Sequence, residues 1–462
     1  MEGLSLTEVL TASGGTVAGA LAATTVFPRI ELDPGKVAQG DLFVAVPGEQ
    51  VDGHEFAVVA ALRGAAAALV RRSWAEGLRE LPLPLVIVDD EPLTALKRIA
   101  AARRDALTAT VIGITGSVGK TSTKEAVAAV AARRFRTYRN PGNRNNEIGL
   151  PLSLLEADTR VEVLVLELGG AFAAGEIALL ARITRPTIVV VTNVYPVHLE
   201  RMGSIEAIAA TKAELVEAVP PDGVAVVNGD DPRVRAMASR CSGRVLTYGL
   251  SAANDVRAEG FRSHGLDGCA FRAFVAGEAC DVRLPLVGRH AVQLALAALG
   301  VGHILGMTSD EMLPGLQDPK IQVHLRRVPG PHGSLVIDDA YNASPPSMLS
   351  ALELLEDSHC RRRVAVLGDM LELGALAEQE HESVGRRAAL AADLVVAYGD
   401  LARILARAAA EAGAATAVES FGPARRADLV HYLRTELQRG DLVLVKGSRA
   451  LRMEDIVEAI RG

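Results

Sequence analysis

Aromatic residues make up only 3% of the 462 residues, and Trp74 is the single tryptophan. Proteins that hold single-stranded nucleic acid stack bases on aromatic platforms, and this chain has too few to build one. An excess of basic charge is also missing. The formal charge of −7 is spread along the chain, and Arg clusters such as Arg361-Arg362-Arg363 are short, so no nucleic-acid partner is expected. The four cysteines, Cys241, Cys269, Cys280 and Cys360, stand far apart and form no CxxC pair, which argues against a zinc site and a disulfide scaffold. No run of about 18 uncharged apolar residues occurs, and the N-terminus has no basic start leading into an apolar block. The expectation is a cytoplasmic protein without a membrane span, acting as a monomer.

What remains is an ordinary globular composition, 49% hydrophobic and 23% charged, in a chain whose length favours about three domains. Its focal stretch is Ile114-Thr115-Gly116-Ser117-Val118-Gly119-Lys120-Thr121-Ser122. A β-branched run (Thr110-Val111-Ile112) precedes it, and a segment rich in Ala, Glu and Lys (Lys124 to Arg133) follows, so the glycines fall at a strand-to-helix turn. Backbone N–H groups of such a turn and the positive end of the helix both face an anion. Lys120 adds a mobile charge, and Thr121 or Ser122 a hydroxyl for Mg²⁺. Ile114 stands where the longer phosphate-loop pattern has its first glycine, so the match is the shorter GxxGK[ST] form.

Upstream, Gly40 to Gly48 reads as a buried strand between turns, and Asp52-Gly53-His54 opens a helix through Leu62. Strands at Ala66 to Arg71 and Leu85 to Val88 complete a small α/β unit, and Leu93 to Leu107 is a bridging helix. His54 receives no functional role. Downstream, Asn140 to Gly149 is dense in amides that either cap the next helix or hold a polar substrate. Val163 to Leu166 is a buried strand that delivers Glu167 at its carboxyl end, where ligands bind in open α/β sheets. Thr187 to Asn193 is a second strand, leading to His198. Glu167 and His198, delivered near one edge by successive strands, would complement a nucleotide's metal ions, with Lys120 at its phosphates. By composition, Lys212 in the helix Ser204 to Ala218 is one more solvated lysine. Residues 244 to 286 suggest an antiparallel add-on, and Arg289-His290 opens a helix to about Leu305. From about Pro319, strands ending in Asp338-Asp339, Gly368-Asp369 and Lys446 alternate with helices, as in a second parallel sheet.

Taken together, these motifs resemble the Mur ligase family, ATP-dependent amide-forming enzymes of peptidoglycan synthesis. The resemblance rests on Gly40 to Ala45 with Asp52-Gly53-His54; Thr115 to Thr121; Asn145 to Gly149; Thr192-Asn193 with His198-Leu199-Glu200; Asp338-Asp339 with Tyr341-Asn342-Ala343; Leu367 to Gly374 with His381; and Lys446 to Arg449. The last groups resemble the branch that joins D-alanyl-D-alanine to UDP-N-acetylmuramoyl-tripeptide through an acyl phosphate. The implied fold is three α/β domains: residues 1–92, a small unit for the UDP-substrate; 93–317, a P-loop ATPase-like, mostly parallel sheet with helices on both faces; and 318–462, a dinucleotide-fold-like ligase domain. The implied cofactors are ATP and Mg²⁺. Gly116 to Ser122, with Asp339, Tyr341 and Asn342, would bind ATP, and Asn145 and Asn146 the substrate. Thr121, Glu167, His198 and Lys212 would hold metal, Lys212 as a carbamate; Lys120, Lys212 and His198 would be catalytic.

The chain also departs from the family pattern. Asp33-Pro34-Gly35 replaces Asp-Ser-Arg, Gly170, Ala171 and Phe172 follow Gly169 in place of Asn-His, Ala291 and Leu294 replace two asparagines, and Ser344 replaces another. A paralogous amide ligase with another acid–amine pair, or a nucleotide-binding scaffold without catalysis, are the alternatives.

Overall fold

In the computed structural model, which describes residues 3–48, 50–170, 173–321, 325–413 and 416–462, three large sheets follow one another along the chain. The first has the spatial order Thr16–Ala18, Leu85–Val88, Ala67–Arg71, Leu42–Val44, Ile30–Glu31, parallel except at the Thr16–Ala18 edge. His54 is fully buried beside it. Its Nε2 accepts from the Arg71 backbone N–H at 2.9 Å, and its ring stacks on Trp74, a structural post.

The helix Pro92–Ala106 begins with proline, whose fixed φ suits a first helical position. Its buried stripe of Ala95, Leu96, Ile99 and Ala100 shares one apolar core with Leu42 and Leu69 of the first sheet and with Leu164 and Leu166 of the second.

The central sheet has the order Glu278–Leu284, Cys269–Val275, Val256–Ser263, Arg244–Gly249, Val224–Asn228, Ile188–Val191, Thr110–Thr115, Val163–Glu167, Thr137–Arg139. Its inner strands Thr110–Thr115, Val163–Glu167, Ile188–Val191 and Val224–Asn228 are buried on both faces, and alternate residues enter opposite cores. Leu164, Leu166, Val189 and Val191 meet the helices Gly149–Glu156, Glu176–Thr184 and Ile205–Glu217. Val163, Val165, Ile188 and Val190 meet Lys120–Ala131 and His290–Ile304. Burying one such side chain is worth roughly 1.5–3 kcal/mol, so strands of this kind persist only between two helical layers.

The antiparallel add-on expected over 244–286 needs correction. Arg244–Gly249 pairs in parallel with Val224–Asn228, and the antiparallel ladder starts only where Val256–Ser263 meets Cys269–Val275. Helical turns at Pro232–Ala236 and Met237–Arg240 supply the crossover that a parallel return requires.

The last sheet has the order Arg326–Pro329, Leu335–Asp338, Asp441–Lys446, Arg362–Gly368, Leu394–Tyr398, Ala417–Phe421, antiparallel only at its first pair. The central Asp441–Lys446 strand thus brings Lys446 between the carboxyl ends bearing Asp338-Asp339 and Gly368-Asp369.

Candidate active site

The glycine turn leaves the carboxyl end of Thr110–Thr115, which lies between the strands ending at Glu167 and Val191. Gly116 has φ +148°, and a Cβ there would sit 1.9 Å from Thr192 Oγ1, so only glycine fits. The turn is tied to the neighbouring strand's exit. Ser117 N–H donates to Asn193 O at 2.9 Å, Val118 N–H to Asn193 Oδ1 at 2.8 Å, and Thr192 Oγ1 to Val118 O at 2.9 Å. That accounts for the Thr192-Asn193 pair. Helix Lys120–Ala131 begins directly after Gly119. Lys120 Nζ donates to the carbonyl oxygens of Gly116 and Ser117 at 2.9 and 3.0 Å. Loss of hydration pulls its pKa below the usual lysine value, and the Glu167 charge opposes that pull.

Glu167 is 1% exposed. Thr121 Oγ1 donates to its Oε2 at 2.8 Å, and Asn145 Nδ2 to its Oε1 at 2.7 Å. Of the two roles expected for the amide-rich loop, helix capping is seen, and its other contact is to the chain's own carboxylate and not to a substrate. Asn145 reaches the carboxylate, whereas Asn146 turns away and caps the next helix, its Oδ1 accepting from Gly149 N–H at 2.8 Å. Asn140 is fully buried, and its Oδ1 accepts from the Glu167 backbone N–H at 2.9 Å.

Behind this loop stands Lys124, fully buried, its Nζ donating to Asn140 O at 2.8 Å and Gly142 O at 2.9 Å. Lys124→Met would leave both carbonyls without their donor, at a cost of roughly 1–3 kcal/mol. The expected result is a lower denaturant midpoint with a less protected 140–145 loop in hydrogen exchange.

His198 sits at φ +56°, an uncommon conformation for a side-chain-bearing residue. It is near enough to feel the charges of Lys120 and Lys212. Burial lowers its pKa first, an effect that Glu372 opposes and the two lysines reinforce. The solvated Lys212 expected from composition is a correction, since Lys212 is 4% exposed. It follows Ile208 by four residues and precedes Leu215 and Val216 on the buried stripe of its helix. Its Nζ donates to Gly170 O at 2.6 Å. Burial and then Lys120 push its pKa down to about 7, against the pull of Glu176 and Glu214.

Asp339, Tyr341 and Asn342 lie on the last domain, gathered around Lys446. Lys446 Nζ donates to Asp339 Oδ2 at 2.7 Å and Asn342 O at 3.0 Å. The Arg449 guanidinium lies over the Tyr341 ring, 5.7 Å from its centre. Asp339 and Lys446 are close enough for their charges to act on His290 of the central domain. Glu372 of the last domain pairs with His198 and, at 3.2 Å, with Arg201. The two domains thus meet beside the glycine turn. Sequence reading gave Lys124 no place here, and it assigned no site role of their own to Glu372 and Lys446, which stand in motifs of the resemblance, or to Asn140 of the amide-rich loop.

Among the described residues, no three His, Cys, Asp or Glu side chains cluster as a metal cage. Mg²⁺ is ordinarily held by one or two carboxylates together with phosphates and water. The Thr121 hydroxyl and the Glu167 carboxylate are hard oxygen donors, already adjacent at the phosphate turn, and they fit that ion.

Three family models match in chain order: "Mur ligase family, catalytic domain" over residues 29–104, "Mur ligase middle domain" over 114–302, and "Mur ligase, glutamate ligase domain" over 325–449. The chain is 35% identical over 453 residues to the UDP-N-acetylmuramoyl-tripeptide--D-alanyl-D-alanine ligase of Bacillus subtilis, covering 96% of this chain and 95% of that protein. A crystal structure of MurF from Acinetobacter baumannii matches with a TM-score of 0.87 at 30% identity, over 100% of this chain and 99% of that one. MurF ligase from Thermotoga maritima in complex with ADP matches with a TM-score of 0.77 at 30% identity, over 94% and 96%. With all three modules matched in order and relatives at this identity spanning nearly its whole length, the chain belongs to the Mur ligase family.

Proposed function

We propose that this chain joins D-alanyl-D-alanine to UDP-N-acetylmuramoyl-tripeptide, using ATP and releasing ADP and phosphate, in the making of peptidoglycan precursor. The observation that carries the reading is the meeting of Thr121, Asn145 and Glu167 at the glycine turn, in a chain that matches ligases of this activity over almost all of its length. The relative from Thermotoga maritima was solved with ADP, which supports ATP as the nucleotide here.

In this reading residues 1–92 take the UDP-substrate, 93–317 bind ATP, and 318–462 form the ligase domain. The turn Gly116 to Ser122 cradles the phosphates, and Asp339, Tyr341 and Asn342 contact the adenosine. Thr121 and Glu167 hold Mg²⁺, with His198 and a carbamate on Lys212 as further ligands, and Asn145 orients the Glu167 carboxylate. Bound Mg²⁺ would offset the charge of the phosphate oxygens. The γ-phosphoryl group passes to the tripeptide's terminal carboxylate, the dipeptide's amine attacks the acyl phosphate, and phosphate leaves. Lys120 offsets charge on the transferring group. Enclosure between domains keeps the acyl phosphate from water. The chain works as a monomer in the cytoplasm, and no helix among the described residues is long and apolar enough to cross a membrane.

The departures from the family pattern have local explanations. Ala291 and Leu294 are buried in the second central core, and Gln293 of the same turn donates to Asp230 at 2.8 Å. Ser344 caps the Pro345–Asp357 helix with Ser347. Asp33 accepts from Gly35 N–H at 2.9 Å in an exposed turn. Gly170 offers its carbonyl to Lys212, while Ala171 and Phe172 lie outside the described residues. Purified protein with ATP, Mg²⁺ and both substrates should release phosphate and form the amide, and with either substrate alone release none. Turnover with a different acid–amine pair and none with this one would overturn the proposal.

A further inference from the structure

In the last domain, the motif Leu367 to Gly374 with His381 and the Ser448 of Lys446 to Arg449 meet at one loop. The structure shows them holding it from several sides. After the Arg362–Gly368 strand, the Asp369 carboxylate accepts from Ala402 N–H at 2.6 Å and Asp400 N–H at 3.1 Å. Met370 N–H donates to Nε2 of the fully buried His381 at 3.0 Å, and His381 Nδ1 is fixed on Ala377 O at 2.6 Å. Leu371 N–H donates to Ser448 Oγ at 2.9 Å, while Ser448 N–H donates to Asp369 O at 3.0 Å. Three successive residues are thereby pinned, and the fourth, Glu372, is turned out at φ +64°.

Glu372 Oε2 meets Nδ1 of His198, which is itself at φ +56°, and Oε1 lies 3.2 Å from Arg201 Nη2. Two side-chain-bearing residues in the left-handed region thus face one another across the domain boundary. Such conformations persist only where surrounding structure holds them, and they gather at functional sites. The support is built from this loop on one side and, on the other, from Leu199 and Met202 packed on the central core.

An imidazole whose Nδ1–H is accepted by a carboxylate keeps its lone pair on Nε2, and such partners fix both tautomer and ring orientation in ligating histidines. We propose that Glu372 is a positioning residue: the last domain uses it to set His198 in the Nδ1–H form, so that the phosphate site of the central domain is completed only when the two domains are docked. This rests on the reading of His198 as part of that site. It gives the Leu367 to Gly374 motif a purpose, since each of its pinned backbone groups fixes where the carboxylate stands.

The first test needs neither substrate nor metal. In ¹⁵N-histidine spectra at fixed pH, with the His198 signals assigned by their loss in His198→Gln, the unliganded protein should show His198 mainly as Nδ1–H. Glu372→Ala should shift it toward Nε2–H. Glu372→Gln can still accept through its side-chain oxygen and should keep the Nδ1–H form, which preserves the test should the alanine variant fold poorly.

In ligation assays, Glu372→Ala should lower kcat by roughly 10- to 100-fold, the scale for losing such a partner, with little change in the KM for ATP. The double variant His198→Ala, Glu372→Ala should lose no more than His198→Ala alone. An unchanged tautomer in Glu372→Ala, or losses that multiply in the double variant, would overturn the proposal. Failure of the wild-type chain to ligate its substrates would instead count against the proposed function, leaving the spectral result to decide on Glu372.

Discussion

Lys120→Ala should cut turnover by ~100- to 1000-fold, the scale for removing one donor aimed at developing charge. Lys120 is the cation that enters the glycine turn from the first residue of the following helix, and its Nζ is already held by two of the turn's carbonyl oxygens. A charge placed in this way needs no rearrangement when the phosphoryl group begins to move. Burial lowers its pKa below the ordinary lysine value, and the Glu167 charge opposes that shift.

The loss should be in chemistry rather than in folding. The side chain is only half-buried, and the turn is anchored independently by Asn193 and Thr192. Lys120→Ala should therefore keep its unfolding midpoint while kcat falls. Steady-state phosphate release, read alongside thermal unfolding, checks both halves. Undiminished turnover would remove Lys120 from the mechanism; a collapsed midpoint would show that the residue serves the fold.

Much of this architecture is legible in the sequence because the relevant signals are local. Gly116, Lys120 and Thr121 are contiguous, and Glu167 directly ends an unbroken apolar run, so strand and chemistry are read from the same few residues. The direction of the Arg244–Gly249 strand is not, since an apolar run looks alike in parallel and antiparallel pairings. Lys124 and Lys212 are different cases. Each lies on the buried stripe of its own helix, Lys124 with Val127, Ala128 and Ala131, and Lys212 with Ile208, Leu215 and Val216. Helical spacing alone places a lysine among apolar residues there, a signal that reading by composition passes over. Glu372 is beyond such reach. It stands 174 residues from His198, and only tertiary packing brings them together.

Lys212→Ala should cost at least ~100-fold in turnover, on the scale of losing one group that stabilises developing charge, and the loss should be partly reversed by a small carboxylate such as acetate or formate. Carbamate formation joins a neutral amine nitrogen to the carbon of CO₂ and releases a proton, giving an anionic oxygen where a cation stood. With a pKa of about 7, roughly nine-tenths of Lys212 is neutral at pH 8, where an ordinary lysine is almost wholly charged. Burial, which makes an ammonium costly here, therefore prepares the residue for the reaction, and neighbouring Lys120 favours the negative product over the positive starting form. Depleting CO₂ should lower the wild-type rate and restoring bicarbonate should recover it, while Lys212→Ala responds only to the added carboxylate. Activity should also fall as pH drops through about 7, when the amine takes up a proton. Stability follows the same group. The folded pKa lies below the ordinary 10.5, so between about 7 and 10.5 the unfolded chain holds the extra proton and stability from this group rises with pH. Lys212→Met should flatten that rise in denaturant titrations at low CO₂. A wild-type rate indifferent to CO₂, together with an alanine variant that no carboxylate revives, would leave Lys212 as a buried amine and no more.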